Sequence, residues 1–242
     1  MEIKEMVAPI AARGLTKRYG AETVVEDLSF STRWGAVTGF VGPNGAGKST
    51  TMRMIAGLVR PTGGEALVMG RPYAALDDPS RFVGASLEAG AFHPRRTGRN
   101  HLRVLAAAAG LTDRRVGEVL DLVELGPAAK KNVGAYSLGM RQRLGLAAAL
   151  IGDPSILMLD EPANGLDPAG IRWLRSFLRG YVEAGNAALV SSHLLGEVAQ
   201  IADDVVVIRG GRLVRHATVA ELTAGGSLED VYFELTEQEA AR

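Results

Sequence analysis
The nine residues GPNGAGKST, at positions 42–50, decide how the rest of the chain is read. They fit G-x-x-x-x-G-K-[ST]. An apolar run at 36–41 precedes them and a helix-compatible stretch at 51–58 follows, the strand, loop and helix setting that this pattern requires. The glycines let backbone amides turn inward as an anion nest, and the positive end of the following helix faces the same point. Lys48 is placed to bridge the β- and γ-phosphates of a nucleotide, and the Ser49 hydroxyl to ligate Mg²⁺. Gly42, Pro43, Asn44, Gly45, Ala46, Gly47, Lys48, Ser49 and Thr50 are therefore expected to bind nucleotide. The competing reading, a glycine-rich turn that binds nothing, does not account for every fixed position being present in context.

A second informative stretch is ILMLDEP, residues 156–162, a buried strand ending in two carboxylates. Ligands of open α/β sheets bind at the carboxyl ends of strands. There Asp160 suits Mg²⁺, commonly through water, and Glu161 suits polarising or deprotonating an attacking water. Taken alone, DEP is equally a strand end with a turn at Pro162. A third stretch, YSLGMRQ at 136–142, sets Ser137 and Gly139 ahead of a helix. Alone, Ser137 reads as a helix N-cap.

Outward from these stretches, runs at 24–30, 36–41, 65–69, 156–159, 187–191 and 205–208 read as strands, and Gly210-Gly211 with 213–214 as a closing hairpin. Between residues 102 and 151 the period changes to 3.6, with helices indicated at 104–109, 116–123 and 141–150. The architecture expected is α/β: a P-loop NTPase core with a mainly parallel sheet, an antiparallel β portion and an inserted α-helical subdomain. Residues 1–84 and 151–223 form the core of this single domain, 85–150 the helical insertion, and 224–242 a short glycine-rich, then acidic tail. The helix at 168–184 carries Trp173, Leu174, Phe177, Leu178 and Tyr181 as a core stripe, with its arginines in water.

Composition narrows the function classes. Lys plus Arg equals Asp plus Glu at 27 each, so no global field draws the chain to nucleic acid or to an anionic bilayer. Without cysteine there is no disulfide or thiolate chemistry. The start, MEIKEMVAPIAARG, lacks a signal-peptide apolar core, and no stretch reaches the roughly 18 apolar residues of a membrane span. A soluble, cytoplasmic protein is expected, one that needs another chain to cross a membrane. Arg141 and Arg143 read as solvated or intersubunit arginines.

With a phosphate loop, a helical insertion, Ser-x-Gly before a basic helix and then an apolar strand ending in Asp-Glu, the chain resembles the ATP-binding-cassette (ABC) ATPases, the nucleotide-binding subunits of membrane transporters. The resemblance covers about residues 10–223. It implies ATP and Mg²⁺ as ligands, and a site shared with a second ABC ATPase subunit, identical or paralogous. YSLGM then corresponds to the family's LSGGQ signature. Its serine and backbone amides meet the γ-phosphate of ATP held by the other subunit. Ser137 and Gly139 are retained, whereas Tyr136, Leu138 and Met140 depart, and Leu138 in place of a glycine narrows backbone approach. This explains a helix end with no pocket of its own as half of a site.

The same resemblance makes Tyr19 the aromatic that stacks on adenine, His193 the switch histidine at the γ-phosphate, and Asp167 part of the loop along the dimer seam. Unaided, these three read as a strand-end tyrosine, a surface histidine and an Asp-Pro helix start. The family's glutamine-loop position falls on Glu88, which keeps an oxygen for Mg²⁺ or its water but loses the amide donors. Export-type members, resembling those for bacitracin and related antibiotics, are similar here and in their SLGM-like signature, which points to an exporter. The implied setting is the cytoplasmic face of the cell membrane, beside a transmembrane permease subunit and with no nucleic acid partner. A non-transport ABC ATPase acting on a macromolecular complex is the alternative; it usually has two cassettes or a coiled-coil insertion. A P-loop kinase has no use for YSLGM, and a pure nucleotide binder none for Glu161.

Overall fold
The computed structural model describes residues 7–87, 92–224 and 232. They fall into two units, residues up to 77 with those from 175 onward, and residues 78–174.

In the first unit, β1 (Ile10–Tyr19) lies between β2 (Glu22–Ser31) and β4 (Gly63–Val68), antiparallel to both. The second layer is parallel at its centre. Strand β3 (Val37–Val41) pairs parallel with β7 (Ala187–Ser192) on one side and β8 (Asp204–Arg209) on the other, and β9 (Arg212–Thr218) closes back antiparallel on β8. Every residue of β3 and β7 is buried, the pattern of strands covered on both faces. The two layers meet at stacked rings, Phe30 and Phe40, with centroids 5.3 Å apart. Helix α1 (Lys48–Ile55) follows β3 and buries Met52, Met54 and Ile55. Two acids fasten the lower end of this sheet. Asp203 accepts from the Val37 amide at 2.8 Å, and the buried Asp204 takes both arms of Arg33 at 2.7 Å, a bidentate pair that raises the guanidinium pKa further.

In the second unit, β5 (Val83–Ser86) pairs parallel with β6 (Ile156–Leu159). Three helices accompany them: α2 (Gly98–Ala108), α3 (Asp113–Leu122) and α4 (Leu138–Ala149). Their apolar stripes supply Leu102, Val116, Val119, Leu120 and Leu144 to the core. At Gly84 any Cβ would stand 2.1 Å from the Ala149 carbonyl, so α4 lies on β5 closely enough to exclude a side chain. Arg115 of α3 donates to the carbonyls of Leu150 (2.7 Å) and Ile151 (3.1 Å), satisfying acceptors that the end of α4 leaves open. Helix α5 (Pro168–Glu183) begins in this unit.

The molecule is α/β with parallel and antiparallel strands, as the sequence implies, and no strand is found among the described residues between 102 and 151. Arg143 departs from the solvated half of its reading as a solvated or intersubunit arginine. Its guanidinium bonds the Val123 carbonyl at 3.1 Å, pairs with Glu124 and lies 4.2 Å from the centre of the Trp173 ring. The stripe on α5 also divides: Leu174 and Leu178 are buried, while Trp173, Phe177 and Tyr181 are half-buried, with Phe177 and Tyr181 stacked at 6.0 Å. The tail reading at 224–242 lies almost wholly outside the described residues.

Candidate functional site
In the first unit, β3 runs into the glycine loop, and α1 starts directly behind it. Gly47, the N-cap of α1, has φ 97° and no side chain to cap the helix, so the first-turn amides are left open. The first loop-to-helix bond is Thr51 N–H to the Gly47 carbonyl, 2.9 Å. Packing requires glycine at two positions. A Cβ on Gly42 would stand 2.3 Å from the Ile208 carbonyl, and one on Gly47 2.7 Å from the Val24 carbonyl. The loop is thus held between β2 and the end of β8, while Pro43, Asn44 and Gly45 are exposed and Ser49 and Thr50 half-buried. Lys48 is only 6% exposed, and its Nζ donates to the carbonyls of Gly42 (2.6 Å) and Pro43 (3.3 Å). A buried ammonium at the mouth of an open-amide helix end attracts a polyanion.

Neighbouring strands bring two more expected residues to this loop. Val41 pairs with Ser192, so His193, exposed, is the first residue beyond the ladder beside Gly42. Tyr19 pairs with Glu22 at the turn of the β1–β2 hairpin, is 50% exposed, and has the Lys17 ammonium 4.7 Å from its ring centre. That hairpin is the one whose Val24 abuts Gly47.

One supporting residue was missed from sequence. Gly211, in the β8–β9 turn, donates its amide to the Ala46 carbonyl at 3.1 Å and accepts from Glu26 N–H at 2.9 Å. Its φ is 80°, and a Cβ there would stand 2.5 Å from the Val24 carbonyl. The Gly-Gly doublet signalled a turn, but nothing local signalled that the turn braces the loop.

The second unit holds the carboxylates and the serine-bearing helix end. The Asp160 amide bonds the Ser86 carbonyl at 2.9 Å, extending the β5–β6 ladder by one residue. Glu161, directly after it, has φ 49°, a left-handed conformation that costs a non-glycine residue about 1–3 kcal/mol. From there the chain turns through Pro162 to Asp167. Asp167 caps α5, its carboxylate accepting from Gly170 N–H at 2.7 Å. This turn packs on the start of α4. A Cβ on Gly165, φ 75°, would stand 2.1 Å from Leu138 Cδ2, and Gln142 Nε2 donates to the Asn164 carbonyl at 3.2 Å.

Ser137 is the N-cap of α4, its Oγ accepting from the Met140 amide at 3.2 Å, while Leu138 is 50% exposed. Tyr136, which departs from the signature, is a core residue. It is 3% exposed, its hydroxyl donates to the Ala128 carbonyl at 2.8 Å, and burial pushes its phenol pKa up.

The first unit therefore gathers Tyr19, residues 42–50 and His193, and the second gathers Asp160, Glu161, Ser137, Gly139 and Asp167. Glu88 lies outside the described residues. Among the described residues no cluster of three His, Cys, Asp or Glu could hold a metal. Of the donors expected for Mg²⁺, Ser49 belongs to the first unit and Asp160 to the second, and an ion of this kind commonly completes its shell with water and phosphate oxygens.

A family model described as ABC transporter matches residues 25–164. The chain belongs to the ABC transporter family. Among its relatives, an uncharacterized ABC transporter ATP-binding protein of Bacillus subtilis (strain 168), YcbN, is 40% identical over 88% of this chain and 70% of its own length. The bacitracin transport ATP-binding protein BcrA of Bacillus licheniformis is 39% identical over 85% of this chain and 68% of its own. A solved structure of an ATP binding subunit of an ABC transporter superposes with a TM-score of 0.84 at 29% identity, covering 94% of this chain and 99% of that one. This ABC protein is an ATP-binding transporter subunit and an ATPase.

Proposed function
We propose that this ABC ATPase powers export of a substrate through a separate transmembrane permease, from the cytoplasmic face of the cell membrane, by closing two cassettes on shared ATP. Among the described residues no helix is long and apolar enough to cross a membrane.

In this reading the 42–50 loop and Lys48 hold the β- and γ-phosphates, Tyr19 stacks on adenine and His193 meets the γ-phosphate. Ser49 and Asp160 would hold Mg²⁺, with Glu88 as a further oxygen, and the ion would neutralise phosphate charge. Glu161 accepts the proton of an attacking water as its oxygen bonds to the γ-phosphorus. The bond from that phosphorus to the bridging oxygen breaks, and ADP leaves with the electron pair. Ser137 and Gly139, beside the Asp167 turn, close over the nucleotide of the second cassette. Docking of the permease falls on residues 88–99 and the helices that follow.

The observation that carries this reading is the exposed start of α4 at Ser137 and Leu138, packed against the Asp167 turn. It is tested by measuring the ATPase rate per molecule against concentration. The rate should fall on dilution, and Ser137→Arg should lower turnover while sparing ATP affinity of the monomer. A rate unchanged by dilution, or a monomer that loses ATP affinity with Ser137→Arg, contradicts the shared site.

A further inference from the structure
A recess of about 640 Å³ lies along α2 in the second unit. His93, Arg95, Arg96 and Arg103 line it, and no carboxylate is among its described lining residues. In a chain with equal acids and bases this is a local excess of positive charge. An acid that reaches this helix is already shared: Asp113 accepts Arg99 at 2.9 Å and Arg103 at 3.1 Å. Arg95 and Arg96 make no ion pair among the described residues. Behind them His101, half-buried, has its Nδ1 without a hydrogen-bond partner among the described residues, and burial together with the Arg96 charge lowers its pKa.

The recess also has two aliphatic side chains on one helix face, Val104 and Ala107. Asn100, Arg103, Val104 and Ala107 follow the i, i+3, i+4, i+7 spacing of one helix face, and Val104 is 52% exposed. Like charges crowded around an exposed valine are relieved by an occupant that brings carboxylates on either side of an apolar contact.

We infer that this recess docks an acidic amphipathic segment of the transmembrane partner, with carboxylates meeting Arg95, Arg96 and Arg103 and an apolar side chain meeting Val104. The inference rests on the reading of this face as the permease docking surface, and adds the chemistry of what sits there. A polypeptide is favoured over lipid headgroups because the arginines surround an exposed valine, and a segment with an apolar side chain between carboxylates covers both while a headgroup covers only the charge.

The test places p-benzoylphenylalanine at position 104 of the full chain, assembled with its partner in native membranes. After irradiation, mass spectrometry reads the attached segment. The expected adduct is a membrane-protein segment with at least two Asp or Glu within about a helical turn of the attachment point. Arg95→Glu with Arg96→Glu should lower the adduct yield about tenfold while ATP binding by the chain alone stays within about twofold. The neutral pair Arg95→Gln, Arg96→Gln replaces it should the reversal disturb the fold. An adduct with a segment lacking acids overturns the charge proposal and leaves the docking face standing. An adduct with lipid alone, or none, overturns the docking face itself. Binding of the isolated chain to phosphatidylglycerol vesicles but not phosphatidylcholine ones, lost in the charge-reversed variant and paired with a lipid adduct, would assign the recess to headgroups.

Discussion
Two helices of this protein begin after small residues, and they begin in opposite ways. At the start of α1 the capping position is a left-handed glycine, so the helix end is left open, and a buried lysine adds a full positive charge to it. At the start of α4 the capping serine bonds its own helix, and the next side chain, Leu138, stands half out in water. The first end, with open amides beside a buried ammonium, suits a phosphate. The second has spent one amide on itself and offers a hydroxyl, a small residue and an apolar surface, which suits closing over a ligand that another molecule already holds.

Four tests break or sharpen that contrast. Glu161→Gln, on the turn that packs against α4, should lower turnover about 10²- to 10⁴-fold while ATP still binds and a nucleotide-bound dimer accumulates in size-exclusion runs; normal phosphate release would remove this residue from the reaction. Lys48→Ala should lower turnover roughly 10²- to 10³-fold, with weakened binding of a fluorescent ATP analogue, and kinetics like the parent's would erase the distinction between the two helix ends.

Gly165→Ala should cost about 1–3 kcal/mol in urea unfolding from its left-handed backbone, plus the collision with Leu138. In a Leu138→Gly background the same change should cost less by the collision alone. Equal losses in both backgrounds would mean that the leucine is not what fits the α4 start to its turn.

The smallest effect is expected at His101. Burial, with Arg96, holds its folded pKa below the ordinary 6.5. The unfolded chain therefore takes up a proton first as pH falls through 6.5, stability is lost there, and the loss ends below the folded pKa. His101→Asn should remove this component, so that the wild-type protein loses more stability than the variant between pH 7.5 and 5.5; parallel losses would show that the imidazole is not held neutral.

What the sequence disclosed follows from how far each signal reaches along the chain. Strand β6 matches its expected bounds because four buried apolar residues run straight into Asp160, and the glycine loop was legible because strand, loop and helix are contiguous. Strand β5 was not read. Its sequence, VGAS, has little β propensity of its own and is a strand because β6 pairs with it. Helix α2 starts earlier than its expected 104 because Thr97 caps it, accepting from Asn100 N–H at 3.2 Å, in a polar stretch without apolar period. The brace from Gly211 to Ala46 and the fit of Leu138 against Gly165 join residues distant in the chain, and no local pattern announces either. The second cation of YSLGMRQR was misjudged for the same reason, since Glu124 and Trp173 are what hold Arg143.

The backbone twist at Glu161 has an evolutionary corollary. A glycine in that place would relax the main chain and yield a sturdier molecule without the carboxylate proposed to activate water, so under that proposal selection for robustness and selection for turnover pull this one codon in opposite directions. Inactive copies of such a gene, freed from the second pressure, should drift there toward glycine or asparagine.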